Sequence, residues 1–403
     1  MLNITKYRLY PEEKEEQMLF RSLELCTFVR NTFLDSNCTN VRWLPELKKE
    51  MPELKEVHSV VLQNVVFQIR DNKKTLKALV KKGYKTGKMR LKFQRSMIYE
   101  VTGFRLDTER QEIWLSKIGT VPIVLSRPVI GTIKQIVVKR RRKGEWFASI
   151  ISDDGEPLPD PVPIQKVVGI DMNLTNFSTD SDGLVIENPR FYRKKQDRLG
   201  RLNKKLSRCE KGSKRWSKAK RLLGRQHDQI EDCRNDFLQK VSTYYVNNYD
   251  LICVEDLKIR NMVRTGGGRA KSIYDAGWGT FFGNMEYKAE NAGKQVVRDE
   301  PAYTSMDCCF CKNRLTTLTL KDRTYCCPAC GSELPRDLNA SFNIRDRGLA
   351  KVGLGKPEPA IWVPDRKSLG EIRISTVELL ASLQQVRIDE SRAIQNVLES
   401  HAL

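Results

Sequence analysis

Apolar and polar residues alternate over Ile4–Tyr10 (ITKYRLY), the period of a half-buried strand, and Pro11 ends it. Over residues 12–35 the period becomes helical, with Met18, Leu19, Leu23, Leu25, Phe28, Val29 and Phe33 on one face. A second helix is predicted over Leu62–Leu79 through Val65, Val66, Ile69, Leu76 and Leu79, after a loop holding Pro45 and Pro52. From Lys92 to Ser152 the texture is β, and GTIKQIVVKRRRKGEWFASIIS reads as two strands joined at KRRRKGE. DDGEPLPDPVPIQ, with four prolines, reads as a linker and a domain boundary.

Beyond the linker, VVGID is a short buried strand ending in Asp171, and NFSTD a second, with a turn at Ser181-Asp182-Gly183. Residues 193–249 form a helical hairpin broken near Lys211-Gly212-Ser213; Ile230, Cys233, Phe237, Val241 and Tyr244 stripe its second arm. In DLICVEDL, residues 250–257, four consecutive apolar residues predict a strand covered on both faces and ending in Glu255. RNMVRTGGGRAK reads as a basic, glycine-rich loop without the G-K-[ST] ending of a phosphate-binding loop. GWGTFFGNMEYKAENAG follows as an amphipathic helix and KQVVRDEP as a strand; the tail holds one further helix at about 376–398.

Composition narrows the class. The chain has 403 residues, enough for two to four folded units, and a formal net charge of +21. No apolar run approaches the ~20 residues of a membrane span, and the N-terminus lacks a secretory h-region. The expectation is a cytoplasmic protein with no membrane partner. Eleven cysteines, six of them between residues 308 and 330, fit a reducing compartment.

The charge points to a polyanion, most simply nucleic acid. It is also concentrated. Between Phe191 and Arg225 there are 15 Lys or Arg against Asp197 and Glu210, among them Arg198, Arg201, Lys204, Lys205 and Arg208. Such a one-signed run repels itself without a polyanion, although a solvated face is the alternative. Arg140 and Arg141 sit at the basic hairpin tip beside Trp146 and Phe147, either a solvated turn or a grip on a phosphate backbone.

Two motifs carry chemistry. Cys308 and Cys311 form one C-x-x-C pair, Cys327 and Cys330 another, with fifteen residues between. Four thiolates in two knuckles suit a tetrahedral structural Zn²⁺. Cys309 and Cys326 are left over, and Gly331 suits the turn after the second knuckle. The other motif is dispersed: Asp171 and Glu255 close strands, and Asp337, in RDLNASFNI, opens a helix. Carboxylates converging at the carboxyl ends of strands bind hard divalent ions through oxygen. A pair of Mg²⁺ ions in such a site serves phosphodiester hydrolysis. Asp256 rivals Glu255, but adjacent strand residues face opposite ways, so only one can join the site.

GIDMNLTNFSTDSDG, ICVEDLKIRNM, YDAGWGTFF, EPAYTSMDCCFC and PRDLNASFNI, in this order, resemble the TnpB proteins of insertion sequences and the related compact type V CRISPR effectors. The N-terminal KYRLYPEEKEEQ and the basic hairpin match the same pattern, so the likeness covers about residues 1–350. It implies an α/β multidomain protein. A wedge-like β-barrel would span 1–11 and 90–163, with a helical recognition module inserted at 12–89. A RuvC/RNase H-like nuclease domain would span 164–300, with a helical insertion at 193–249. A zinc ribbon would follow at 301–335, the last RuvC segment at 336–350 and a tail at 351–403.

The resemblance implies catalysis by Asp171, Glu255 and Asp337, a guide RNA partner, and cleavage of target DNA paired with the guide. It places Gln63 on a helix facing the duplex beside the target, where glutamine can read adenine. Asn173 stands where a glycine is common, Pro335 where an acidic residue is, and Lys312 where a glycine often follows the first knuckle. An RNA-guided regulator without cleavage and an unguided RNase H-like nuclease are the competing readings.

Overall fold

The computed structural model describes residues 1–265, 267–319 and 321–355, with the backbone of Ile372–Ile374; the helix expected at about 376–398 lies outside the described residues. The chain divides into two compact units, Met1–Pro157 with Lys211–Asp228, and Leu158–Glu210 with the chain from Gln229 onward. The first boundary falls inside the proline-rich linker.

The first unit is built on β1 (Leu2–Leu9), β2 (Ser96–Glu100), β3 (Phe104–Asp107), β4 (Glu112–Leu115), β5 (Gly119–Val124), β6 (Thr132–Arg140) and β7 (Trp146–Asp153). They form one antiparallel sheet in the order β2-β6-β7-β1-β5-β4-β3. Its two edge strands, β2 and β3, are joined by only a 3₁₀ turn at Val101–Gly103, so the sheet curls into a nearly closed barrel. Alternation sets the inside: Trp146, Ala148 and Ile150 of β7 are buried between half-exposed neighbours. Helices α1 (Glu13–Asp35), α2 (Leu44–Glu50) and α3 (Ser59–Lys81) lie between β1 and β2 in sequence. Leu19, Leu23, Val29 and Phe33 of α1 and Val65, Val66 and Ile69 of α3 join the barrel residues in one continuous core. Phe28, expected on that face, is 39% exposed, and Leu76 and Leu79 are half-buried because α3 runs past the core.

The second unit holds β8 (Val167–Met172), β9 (Asn176–Asp180), β10 (Leu184–Glu187), β11 (Leu251–Glu255), β12 (Gln295–Asp299), the ribbon strands β13 (Thr324–Cys326) and β14 (Glu333–Pro335), and β15 (Ile372–Ile374). Its main sheet has the order β12-β11-β8-β9-β10-β15. β12, β11 and β8 run parallel, β8, β9 and β10 form an antiparallel meander, and β15 adds parallel to β10. The helices are α4 (Phe191–Ser207), α5 (Lys214–Asn248), α6 (Ile259–Thr265), α7 (Ala270–Ala276), α8 (Trp278–Asn291) and α9 (Arg336–Lys351); residues of α5 up to Asp228 belong to the first unit.

Both faces of β8 and β11 are covered, and residue parity decides which residue meets which helix. Val168, Ile170, Ile252 and Val254 pack with Phe237 and Tyr245 of α5 and Phe281 of α8. Phe177 of β9 meets Phe237 and Phe281 edge-on, ring centroids 4.9 and 5.1 Å away. The opposite parity, Leu251 and Cys253, packs with Ile344 and Leu349 of α9. Here α9 approaches so closely that a Cβ on Gly169 would collide with the Ser341 carbonyl, and one on Gly348 with the Cys253 sulfur.

Three local expectations need correction. The RNMVRTGGGRAK stretch is not a loop: α6, a 3₁₀ turn at Gly267–Arg269 and α7 occupy it. The stripe on α5 keeps Ile230, Phe237 and Val241, but Cys233 is exposed and Tyr244 only half-buried, while Leu238 and Tyr245 face the core. β10 is an additional strand between the turn at Asp182 and α4.

Candidate functional site

Asp171 shares its parity with Gly169, and Glu255 with Leu251 and Cys253, so both carboxylates lie on the face that α9 covers. The β8–β11 register pairs Ile170 with Val254, which puts Asp171 and Glu255 one step further on, at the carboxyl ends of neighbouring parallel strands. Asp337 lies in the first turn of α9. Asp256 has the other parity; it is exposed and 3.8 Å from Arg298.

Asp171 and Glu255 are 8% and 7% exposed. Burial, then the charges of Glu255 and Asp337, push the Asp171 carboxyl well above the usual range, with Arg336 pulling the other way. Burial also raises Glu255, against a hydrogen bond from Thr304 and the charge of Arg347. The Thr304 hydroxyl donates to Glu255 Oε1 over 2.6 Å. Arg336 lies 3.2 Å from Asp337 Oδ1, and Asn173 Nδ2 donates to Asp337 Oδ2 over 3.1 Å. Asn173, which replaces a common glycine, is thus a ligand of a site carboxylate; its own Oδ1 accepts the Asn176 N–H at 2.7 Å and fixes the turn. The Asp171 carboxyl, raised by burial and by the charges of Glu255 and Asp337, suits a hard divalent cation, which would relieve both.

The four cysteines come together. Cys308, Cys311, Cys327 and Cys330 offer sulfurs that all lie within 4.8 Å of one another, a group that could hold one metal ion. Cys308 and Cys330 sulfurs are 3.7 Å apart, and Cys311 and Cys327 sulfurs 3.5 Å. A tetrahedron with metal–sulfur bonds of about 2.3 Å requires roughly 3.8 Å, so the set fits zinc.

The two knuckles repeat one geometry. Cys308 N–H bonds the Asn313 carbonyl and Lys312 N–H the Cys308 carbonyl; Cys327 N–H bonds Ser332 and Gly331 N–H bonds Cys327 in the same way. Lys312 and Gly331 both take positive φ, 62° and 72°. Lys312 bears that strain because its ammonium reaches Asn343 (2.9 Å) and Asp346 (3.2 Å) on α9. The Ser332 hydroxyl, 3.2 Å from the Cys330 sulfur, holds that thiol down at about 6. Cys309 and Cys326 stay outside: Cys309 donates its N–H to Asn339 of α9, and Cys326 is exposed on β13.

The basic residues divide. Arg198, Arg201, Lys204, Lys205 and Arg208 are exposed along and just beyond α4. The start of α4 is tied down by buried Asp275, whose carboxylate accepts the N–H groups of Tyr192 (2.9 Å) and Arg193 (3.2 Å). At the hairpin tip, the Arg141 side chain is 9% exposed, 3.7 Å from the buried Asp228 carboxylate, which also takes Arg142 (3.2 Å) and the Lys143 N–H (3.1 Å). Arg140 instead lies over the Phe20 and Trp146 rings. Gln63 is half-buried on α3. Thr304, Arg336, Asn339, Asn343 and Asp275 were not singled out from sequence, although all five lie within the quoted motifs YDAGWGTFF, EPAYTSMDCCFC and PRDLNASFNI.

A family model described as "Probable transposase" matches residues 135–266, and one described as "Cas12f1-like, TNB domain" matches 278–344. Among curated relatives, the Escherichia coli protein named "Putative RNA-guided DNA endonuclease InsQ" is 30% identical, over 88% of this chain and 94% of its own. A Streptomyces pristinaespiralis "Putative RNA-guided DNA endonuclease" is 32% identical, over 87% of this chain and 90% of its own. The Cas12f1 chain of a solved Cas12f1–sgRNA–target DNA complex shares the fold: TM-score 0.54, 13% identity, 86% of this chain and 98% of that chain. Among the described residues no helix is long and apolar enough to cross a membrane. With its likeness to InsQ over 88% of its length, its ordered motifs and its four clustered cysteines, the chain belongs to the TnpB family.

Proposed function

We propose that this protein is an RNA-guided DNA endonuclease whose catalytic carboxylates are Asp171, Glu255 and Asp337. The observation that carries the reading is the parity of β8 and β11, which turns Asp171 and Glu255 toward α9, whose first turn holds Asp337. The sheet supports an RNase H-like, RuvC-type core: a three-strand meander with two further parallel strands beside its first. When bound, a pair of Mg²⁺ ions would supply water activation and leaving-oxygen stabilisation in phosphodiester hydrolysis. The chain's own part is to hold three carboxylates in place. Thr304 aims Glu255, Asn173 and Arg336 aim Asp337, and burial keeps Asp171 short of water. The four-cysteine ribbon would hold a structural Zn²⁺.

In this reading residues 1–11 and 90–163 are the wedge-like barrel, 12–89 the recognition module, 164–300 and 336–350 the nuclease core, and 301–335 the ribbon. Gln63 faces the duplex beside the target. Arg140 and the cations Arg198, Arg201, Lys204, Lys205 and Arg208 hold phosphates, which gives affinity without sequence preference. Arg141, neutralised by Asp228, shapes the hairpin tip rather than gripping a phosphate directly. Sequencing RNA that co-purifies with the protein tests the guide: one structured species with a variable segment should be enriched. Recovery of only bulk cellular RNA would contradict the reading.

A further inference from the structure

Within the first unit, the end of β1, the start of α1, the segment before β2, the β6–β7 tip and the first turns of α5 enclose a cleft of about 860 Å³. Part of its lining is aromatic and open. Phe20 and Phe93 stack with ring centroids 5.9 Å apart at 28°, yet remain 37% and 41% exposed. Trp216 lines the same cleft. The rest is cationic. The Arg140 guanidinium lies 5.3 Å from the Phe20 centroid, and Lys220 Nζ 4.6 Å from that of Trp216. Arg95 and Arg221 are exposed in the lining, without a side-chain ion pair among the described residues. The lining carboxylates are already engaged: Glu16 accepts the Trp146 indole N–H at 3.3 Å, and Glu145 is held by Arg8 (2.7 Å) and Lys143 (2.5 Å).

Open π faces beside cations lacking counter-charges call for a ligand that is both flat and anionic. A base-paired duplex offers the charge but hides its base faces, and an acidic peptide lacks the planar group. An unpaired nucleotide has both, and base–aromatic stacking tolerates any base. We propose that this cleft holds one unpaired nucleotide of a bound strand, its base on the Phe20–Phe93 pair and its phosphates at Arg95, Lys220 and Arg221. The inference rests on the nucleic-acid reading above only for which strand supplies the nucleotide, RNA or DNA.

The test uses the full chain freed of nucleic acid by high salt, with fluorescent oligo(U), oligo(dT), an abasic strand of equal length and a blunt duplex as probes. Phe20→Leu with Phe93→Leu keeps apolar volume and removes the rings. Affinity for oligo(U) or oligo(dT) should fall about fivefold or more, as for the loss of one stack. Affinity for the duplex and the abasic strand should not change. The probe with the larger loss identifies the strand. Arg95→Gln with Arg221→Gln, both on the surface, should weaken the normal and abasic strands alike. Unchanged affinity of the Leu variant for both single strands, or an equal loss on the duplex, would overturn the proposal. An unchanged affinity of the Gln variant would overturn the phosphate placement. No guided cleavage is read, so failure here leaves the endonuclease reading standing, and failure of that reading leaves this cleft testable.

Discussion

Thr304 links the four-cysteine segment to Glu255. Its hydroxyl donates to Glu255 Oε1 at 2.6 Å between residues 2% and 7% exposed. Its carbonyl accepts Asn343 Nδ2 (2.9 Å), and Asn343 Oδ1 accepts Lys312 Nζ (2.9 Å), just after Cys311. Thr304→Val keeps the shape and removes the donor. A buried hydrogen bond to a charged group is worth about 1.5–3 kcal/mol, which Glu255 would lose in its ionised form only. Its carboxyl, already raised by burial, would rise further, so the acid limb of the cleavage profile should move to higher pH. If that energy is lost from the working state, single-turnover cutting at pH 7 should slow by about 10- to 100-fold. Thr304→Ser returns the hydroxyl and should restore both rate and profile, which a purely structural defect would not. A Thr304→Val enzyme with the wild-type rate and pH profile would refute the positioning role.

Other consequences can be checked separately. Burial lifts Asp180 to about 7, with Asp182 adding to it and the Leu184 N–H opposing, so the folded chain keeps a proton that the unfolded chain releases above its ordinary value of 3.8. Stability should therefore fall as pH rises through that window, by up to ~1.4 kcal/mol per unit, and level above 7. Urea midpoints of Asp180→Asn, whose amide oxygen can still accept both N–H groups, should lack this slope. Replacing Lys204, Lys205 and Arg208 with Ala should weaken binding of many sequences alike and flatten the slope of log affinity against log salt by up to about 2.7; an unchanged slope would make α4 a solvated face. Metal analysis should find about one zinc per chain, lost with unfolding of the ribbon in Cys327→Ser. A zinc-free protein that is folded and active would contradict the ribbon's role.

What could be read from the chain was what local pattern encodes. Long periodic segments such as α1, α3 and α8, the buried runs of β8 and β11, and the two C-x-x-C knuckles each carry their signal within a few residues. Asp171, Glu255 and Asp337 could be picked out as candidates because each sits at or one residue from an element's end. Short or tertiary features were not. LVIE in β10 is four residues long, and the glycines at 266–268 hid two seven-residue helices. The α5 face drifted toward Leu238 and Tyr245 because Phe177 and Phe281 decide which side is covered. The Arg141 run could be read as a solvated turn or as a phosphate grip, because its counter-charge, Asp228, lies 87 positions away. Thr304 has no pattern of its own; its partner Glu255 is 49 residues distant.

The most direct test of the account is plasmid cleavage by the reconstituted protein–RNA complex with the guide segment exchanged for a chosen sequence. Wild type should cut, with Mg²⁺, only plasmids carrying the matching target. Glu255→Gln should bind the same RNA and target without cutting, and Asp256→Asn should cut normally. Cleavage that ignores the exchanged guide, or Glu255→Gln cutting at the wild-type rate, would contradict it.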